Sequence, residues 1–241
     1  MTGPAGSLKL IHVKSACEQC RVRELCLPTS LDGMQLNLMD QLVKRIKHLK
    51  KGDYLYHTGD EFKGLYAIQS GALKTMGLTA EGREQVTGFH LGGELVGMDA
   101  VDINKHPCNA IALESTEVCL LPFDKLEELG QQIPKLMHEL TRIMSREILR
   151  EENTLIMLGS TSAEQRLARF LLNLYKRQLA RGGDENVVKL QMTRQDIGNY
   201  LGLAFETVSR HLNHFQDDGL LTIDNRKLTL LNHSALDALA N

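Results

Sequence analysis

No run of about eighteen apolar residues, the length a membrane-spanning helix needs, occurs anywhere in the 241-residue chain. The opening "MTGPAGSLKLIHVK" also lacks the apolar core of a secretory signal. Both absences predict a cytoplasmic protein with no membrane partner. A Walker loop, a dinucleotide-binding glycine fingerprint and a nucleophile–base–orienter set are missing as well, so an enzyme is not expected. The net charge of −2 gives no overall signal of a polyanion partner, and any nucleic-acid contact must rest on local charge. Cysteine is scarce, with five residues in all, and a chain of this length buries its own cores without covalent staples.

Three of those five thiols nonetheless crowd into "ACEQCRVRELCLP", residues 16–28. In a reducing cytosol, clustered thiols point to metal binding or reactivity rather than to structural disulfides. Cys17, Cys20 and Cys26 follow C-x2-C-x5-C, which places three sulfurs on one short loop and leaves a fourth site to a distant residue. Taken alone, the pattern suits zinc or an iron–sulfur cluster, and a thiol–disulfide sensor would use it without metal. Cys108 and Cys119 are the distant thiols.

The chain divides into four stretches. Residues 1–30 read as a Cys-bearing, irregular segment, and residues 31–132 open with an amphipathic helix from Met34 to Ile46. From about Leu49 to Phe123, short apolar segments such as "LYAIQSG" and "VCLLPF" alternate with turns at Gly59, Gly71, Gly82 and Gly93, which predicts a small β-sandwich or barrel. Residues 133–159 read as one long helix, with Pro134 in its first turn and Gly159 at its stop. Its apolar positions Met137, Leu140, Met144, Ile148, Leu155 and Leu158 form a stripe suited to pairing with a second helix. Glu151 interrupts that stripe, either as an edge residue reaching water or as a charge that weakens a dimer.

Residues 160–241 carry the most informative pattern. "TRQDIGNYLGLAFETVSRHLNHFQDDGLL" holds two short helices joined at Gly202, with Gly198 permitting close packing and Ile197, Leu201, Leu203, Val208 and Leu212 turned inward. "GLLTIDNRKLTLLN" adds two strands joined by "DNRK", giving a winged helix-turn-helix. The second helix of such a motif enters the major groove, presenting Phe205, Glu206, Ser209 and Arg210 to base edges. A Glu carboxylate accepts from cytosine N4, and Arg donates bidentately to guanine O6 and N7. Local charge is weak, with ten Lys or Arg against nine Asp or Glu, a modest charge that is tolerable if a dimer doubles the phosphate contacts. Ala204 stands where Ser or Thr would cap the recognition helix, a loss of about 1 kcal/mol. His90, His138, His211 and His214 read as packing or solvent-facing residues rather than metal ligands.

The β-roll, the long helix and "TRQDIGNYLGLAFETVSRHL" together resemble the CRP/FNR superfamily of bacterial transcription regulators over almost the whole chain. The resemblance implies an α+β fold: a cyclic-nucleotide-binding-like β-roll, a dimerisation helix and a C-terminal winged helix-turn-helix. Over "GGELVGMDAVDINKHPCNA" the cyclic-AMP branch holds its phosphate with Gly-Glu and Arg-Ser pairs. Here Gly97 precedes Met98 and the Arg-Ser site is His106-Pro107, so no cyclic nucleotide is expected. The thiols are similar to those of the FNR branch, which implies an oxygen-labile 4Fe-4S cluster on Cys17, Cys20, Cys26 and Cys119. Cys108 is then a spare buried thiol, or the fourth ligand if Cys119 is the spare.

The resemblance further implies a cluster-loaded homodimer bound to double-stranded DNA, with Ile148 buried across the dimer and Glu151 acting as a repulsive switch. Glu206, Ser209 and Arg210 match the family's E-x-x-S-R set, which implies palindromes of TTGAT half-sites, and Arg194 is placed on phosphate. The turn "TAEGRE", residues 79–84, resembles a surface presented to RNA polymerase. The implied function is an oxygen-responsive global regulator of anaerobic metabolism. A family regulator with structural zinc or a thiol–disulfide switch is the alternative.

Overall fold

The computed structural model describes Cys20 and residues 32–240. Helix α1, Gly33–Leu42, starts at a capping box in which Asp32 accepts from the Gln35 amide at 2.9 Å and the Gln35 side chain accepts from the Asp32 amide at 3.1 Å. It is shorter than the apolar spacing from Met34 to Ile46 suggests. The chain turns extended at Val43 and continues as β1, Lys44–Leu49, because pairing with a partner strand outweighs helical periodicity there.

Eight strands build the roll: β1, β2 (Tyr54–Tyr56), β3 (Gly64–Ser70), β4 (Ala72–Leu78), β5 (Glu84–Leu91), β6 (Leu95–Val96), β7 (Asn109–Ala112) and β8 (Thr116–Pro122). They pair antiparallel in two sheets of order β1-β8-β3-β6 and β2-β7-β4-β5. Leu55, Ile68, Leu73, Ala110 and Val118 fill the core of the roll. Side chains alternate across a strand, so Val118 faces that core while Cys119 packs with a second apolar cluster. Gly71 is required at the β3–β4 corner: its φ is +86°, and a Cβ there would lie 2.5 Å from the Ser115 carbonyl oxygen.

A helix absent from the sequence reading, α2 at Phe123–Gln132, follows β8 directly. Helix α3 then runs from Pro134 to Ser160, one residue past the anticipated stop at Gly159, and its 27 residues span about 40 Å. Leu126, Leu129, Leu136 and Leu140 of α2 and α3 cover Leu65 and Leu121 of the sheet. The C-terminal unit comprises α4 (Ala163–Leu179), β9 (Val187–Lys189), α5 (Arg194–Leu201), α6 (Phe205–Asp217), β10 (Leu221–Asp224), β11 (Lys227–Leu230) and α7 (His233–Ala240). The three strands pair in the order β10-β11-β9. Among the described residues no helix is long and apolar enough to cross a membrane.

The two units share a continuous apolar cluster. Met76, Val86, Phe89 and Leu91 of the roll join Phe170, Leu171, Ile197 and Leu201 of the C-terminal unit. Phe89, Phe170 and Tyr200 meet with ring centroids 5.3 to 5.9 Å apart. Beside this seam Glu94, with a side chain only 10% exposed, meets Arg177 at 2.6 Å, Arg181 at 2.5 Å and Arg150 at 3.5 Å. Burial alone would raise the Glu94 pKa, but Arg177, then Arg181 and Arg150, hold it down to about 2. His90, buried nearby and within 3.2 Å of the Thr75 hydroxyl, is pushed by burial down to about 4.

Both groups make acid destabilising. His90 ionises less readily folded than unfolded, so below pH 6.5 the unfolded chain takes up more protons and stability falls until about pH 4. Glu94 has a depressed folded pKa, so its contribution is present above pH 4.5 and is lost as pH falls towards about 2. Urea unfolding across this range is expected to show both losses. In His90→Gln only the loss between pH 6.5 and 4 should shrink, and an unchanged profile would contradict a buried neutral imidazole.

Candidate DNA interface and thiol site

The two helices of the C-terminal motif meet at a corner set by two glycines. Helix α5 is capped by Thr193, whose hydroxyl accepts from the Asp196 amide at 3.1 Å, and it ends at Gly202 in the left-handed region with φ +64°. Gly198 lets the chain return closely: a Cβ there would lie 2.6 Å from the Leu203 carbonyl oxygen. Helix α6 then begins at Ala204 with no side-chain cap, as the sequence suggests. Leu212 and Phe215 of α6 are fully buried, which fixes the opposite face outward.

That outward face carries Glu206 and Arg210, exposed one helical turn apart, whereas Ser209 between them is half-buried and its hydroxyl oxygen is buried, with no hydrogen-bond partner among the described residues. Phe205 is also exposed at the first position of α6. Arg194 opens α5 and is half-buried. The wing turns through Asn225, whose φ is +55°. The 79–84 turn is the exposed tip of the β4–β5 hairpin, closed by the Thr79 amide donating to the Arg83 carbonyl at 2.8 Å.

On α3 the apolar stripe splits. Leu136 and Leu140 are buried by the chain itself, whereas Ile148, Leu149, Leu155 and Ile156 are 57%, 54%, 69% and 61% exposed. Exposed apolar side chains grouped in this way make the second half of α3 a candidate association surface. Glu151 lies in the middle of it, exposed.

Cys17 and Cys26 lie outside the described residues, and Cys20 is half-buried. Cys119 is half-buried on β8, opposite Ala67 of β3 in register. Cys108 lies elsewhere: it belongs to the inner core of the roll and donates to Asp99 at 3.3 Å. Burial, followed by the Asp99 charge, pushes its thiol well above the usual range and keeps it protonated. Chemistry therefore separates the two distant thiols, since a cluster or metal takes thiolate. Cys108 is thus a protonated core thiol, whereas Cys20 and Cys119 are half-buried, and among the described residues no group of three or more His, Cys, Asp or Glu side chains comes together that could hold a metal ion.

At the positions anticipated for phosphate binding, His106 is 1% exposed and stacks on Tyr56 with ring centroids 3.6 Å apart. Burial lowers its pKa, so the imidazole offers no cation. It lines a cavity of about 550 Å³ in which Lys47 and Lys63 are balanced by Asp60 and Glu61.

The sequence reading missed the groups that join the units. Arg177 and Arg181 are four apart on and just beyond α4, and they converge with Arg150 on Glu94. Asp196, which accepts from the Thr193 amide at 2.9 Å within α5, also binds Lys74 of β4 at 2.6 Å. The only trace of these contacts in the sequence is Glu94, a charge set between apolar residues in "LGGELVG".

This fold and this face define a winged helix-turn-helix DNA-binding protein whose reading head is packed on a sensor-like β-roll. Residues 165–239 match the Crp-like helix-turn-helix domain and residues 46–132 the cyclic nucleotide-binding domain. "Transcriptional activator protein Anr" of Pseudomonas protegens is 45% identical over 95% of this chain and 94% of its own length. The "fumarate and nitrate reduction regulatory protein" of Escherichia coli K12 is 43% identical, over 93% of this chain and 90% of its own. The structure of FixK2 from Bradyrhizobium japonicum matches with a TM-score of 0.74 at 29% identity, covering 81% of this chain and 96% of that one. The chain belongs to the CRP/FNR family of transcription regulators and is of the FNR type. Regulators of this family bind DNA and act as dimers.

Gly198→Ala tests the helix corner. The added methyl must displace the Leu203 backbone, and a loss of about 1–3 kcal/mol is expected in chemical unfolding. Wild-type stability would show that the corner tolerates a wider spacing.

Proposed function

We propose that the chain is an oxygen-responsive transcription regulator of anaerobic metabolism, with Cys17, Cys20, Cys26 and Cys119 as ligands of a 4Fe-4S cluster. The observation that carries this reading is the contrast between the distant thiols: Cys119 is half-buried on the outer face of β8, and Cys108 is a buried, protonated donor to Asp99. Bound at the four thiolates, the cluster supplies an oxygen-labile tie between the N-terminal segment and β8.

The chain's own residues perform the rest. With the segment held on β8, the exposed stripe of α3 closes on a second copy and buries Ile148. Two Glu151 carboxylates brought together in that seam repel, so dimerisation is marginal and the added tie decides it. A dimer then places two α6 helices on the half-sites of a TTGAT-type palindrome. Glu206 accepts from a cytosine amine, Arg210 donates to guanine, Ser209 adds a hydroxyl and Arg194 holds phosphate. The exposed tip at 79–84 is the surface for RNA polymerase in this reading. The neutral His106 agrees with a regulator that does not use a cyclic nucleotide.

Anaerobic purification followed by a visible spectrum and iron and sulfide assays tests the ligand set. A brown protein with about four irons per chain that bleaches in air is expected. Cys119→Ser should lose the iron and Cys108→Ser should keep it. A colourless protein, or one holding zinc, overturns the reading. Glu151→Ala is expected to sediment as a dimer in air and to bind the palindrome there, and an aerobic monomer would remove repulsion as the switch.

A further inference from the structure

We infer that Glu94 is a positioning residue for DNA recognition, fixing the angle between the reading head and the dimer seam and hence the half-site spacing a dimer accepts. The inference rests on the dimeric DNA-binding reading above and extends it to a residue outside the DNA face.

Glu94 sits in the β5–β6 turn and is gripped from two other elements at once. Arg177, in the last turn of α4, forks onto it with Nε at 3.0 Å from Oε1 and Nη2 at 2.6 Å from Oε2. Arg181 reaches Oε1 at 2.5 Å, and Arg150 of α3 approaches within 3.5 Å. The same two α4-side arginines bind nearby backbone, Arg177 at the Phe89 carbonyl of β5 and Arg181 at the Gly92 carbonyl of the turn, each at 2.6 Å. The Leu91 amide completes the carboxylate's shell at 2.9 Å.

Each partner belongs to a part that must be aligned. Arg150 is the immediate neighbour of Glu151 in the exposed α3 stripe. Helix α4 leads into the reading head and holds it directly, since Arg166 donates to the Leu201 carbonyl at the end of α5 at 3.1 Å. The Thr154 hydroxyl of α3 and the Tyr200 hydroxyl of α5 lie 3.1 Å apart on the same side. Apolar attraction around Phe89 and Phe170 is non-directional, so the angle falls to the polar contacts: Asn199 and Asp196 of α5 bind β5 and Lys74 of the roll, and Glu94 alone among these contacts also reaches α3, through Arg150. A buried carboxylate held by a bidentate guanidinium has one geometry. In a two-fold dimer, the angle of each head relative to the seam sets the separation of the half-sites read.

The test uses the full chain purified without oxygen and a series of palindromes whose spacer is shortened or lengthened by one or two base pairs. The wild type is expected to prefer one spacer. In Glu94→Gln that preference should fall about tenfold or more, with affinity for an isolated half-site unchanged. Arg177→Lys keeps the charge but loses the fork, and it should flatten the spacer profile in the same way, which keeps the test open if the first variant misfolds. A sharp wild-type profile retained in the folded variants overturns the role of Glu94. A wild type that binds no palindrome more tightly than a single half-site overturns the dimeric reading and this inference with it.

Discussion

A carboxylate withdrawn from water must be surrounded by compensating charge, and Glu94 draws that charge from two helices that belong to different parts of the molecule. Its partners cannot be met unless the roll, α3 and α4 are all in place. Removing one partner of a buried ion pair typically costs about 3–5 kcal/mol, because the remaining charge stays buried without compensation. Such a polar junction restricts the arrangements that the apolar seam alone would tolerate. Lys74 and Asp196 add a second charged contact across the same boundary, at 2.6 Å.

Strand β8 shows how one short sequence serves two environments. The two-residue period of a strand sends Val118 into the roll and Cys119 to the opposite face, among residues of α2 and α3. A shift of one residue would exchange them, turning the thiol candidate into the core of the roll and the valine towards α2 and α3. Helix α3 makes a similar division along its length. Its first half is spent on the chain's own core through Leu136 and Leu140, and its second half leaves Ile148, Leu149, Leu155 and Ile156 uncovered. The uncovered half begins next to Arg150, so the surface open to a second copy and the junction at Glu94 share one stretch of helix.

Much of this was legible in the sequence because it depends on local chemistry. The two-residue periodicity and glycine turns marked the roll, Pro134 marked the start of α3, and Gly198 and Gly202 marked the corner of the helix-turn-helix. The missing cap at Ala204 was readable for the same reason. Boundaries failed where tertiary pairing won: Ile46 fits the amphipathic period of α1 but lies in β1, at the bulge between Arg45 and Lys47, which pair with β8. Helix α2 was overlooked because "FDKLEELGQQ" is short and its apolar residues mean little until the sheet they cover is known. The Glu94 junction was invisible because Arg150, Arg177 and Arg181 look like ordinary surface cations on helices. Only the fold brings them to a carboxylate more than fifty residues away in sequence.

The weak charge of the reading head makes physical sense in this arrangement. Ten basic residues against nine acidic ones over residues 160–241 give a single head little general attraction for phosphate. A lone chain would then leave DNA readily, whereas in the proposed dimer two heads joined at α3 would act at a high effective concentration on the second half-site. On the proposed reading affinity is conditional on association, and association runs through the exposed apolar surface that Glu151 interrupts. A more basic head would bind without a partner and lose that dependence. A fully apolar seam would pair without a signal. In the proposed dimer the near-neutral head and the charged seam are complementary weaknesses, which would let a modest change in dimer stability appear as a large change in DNA occupancy.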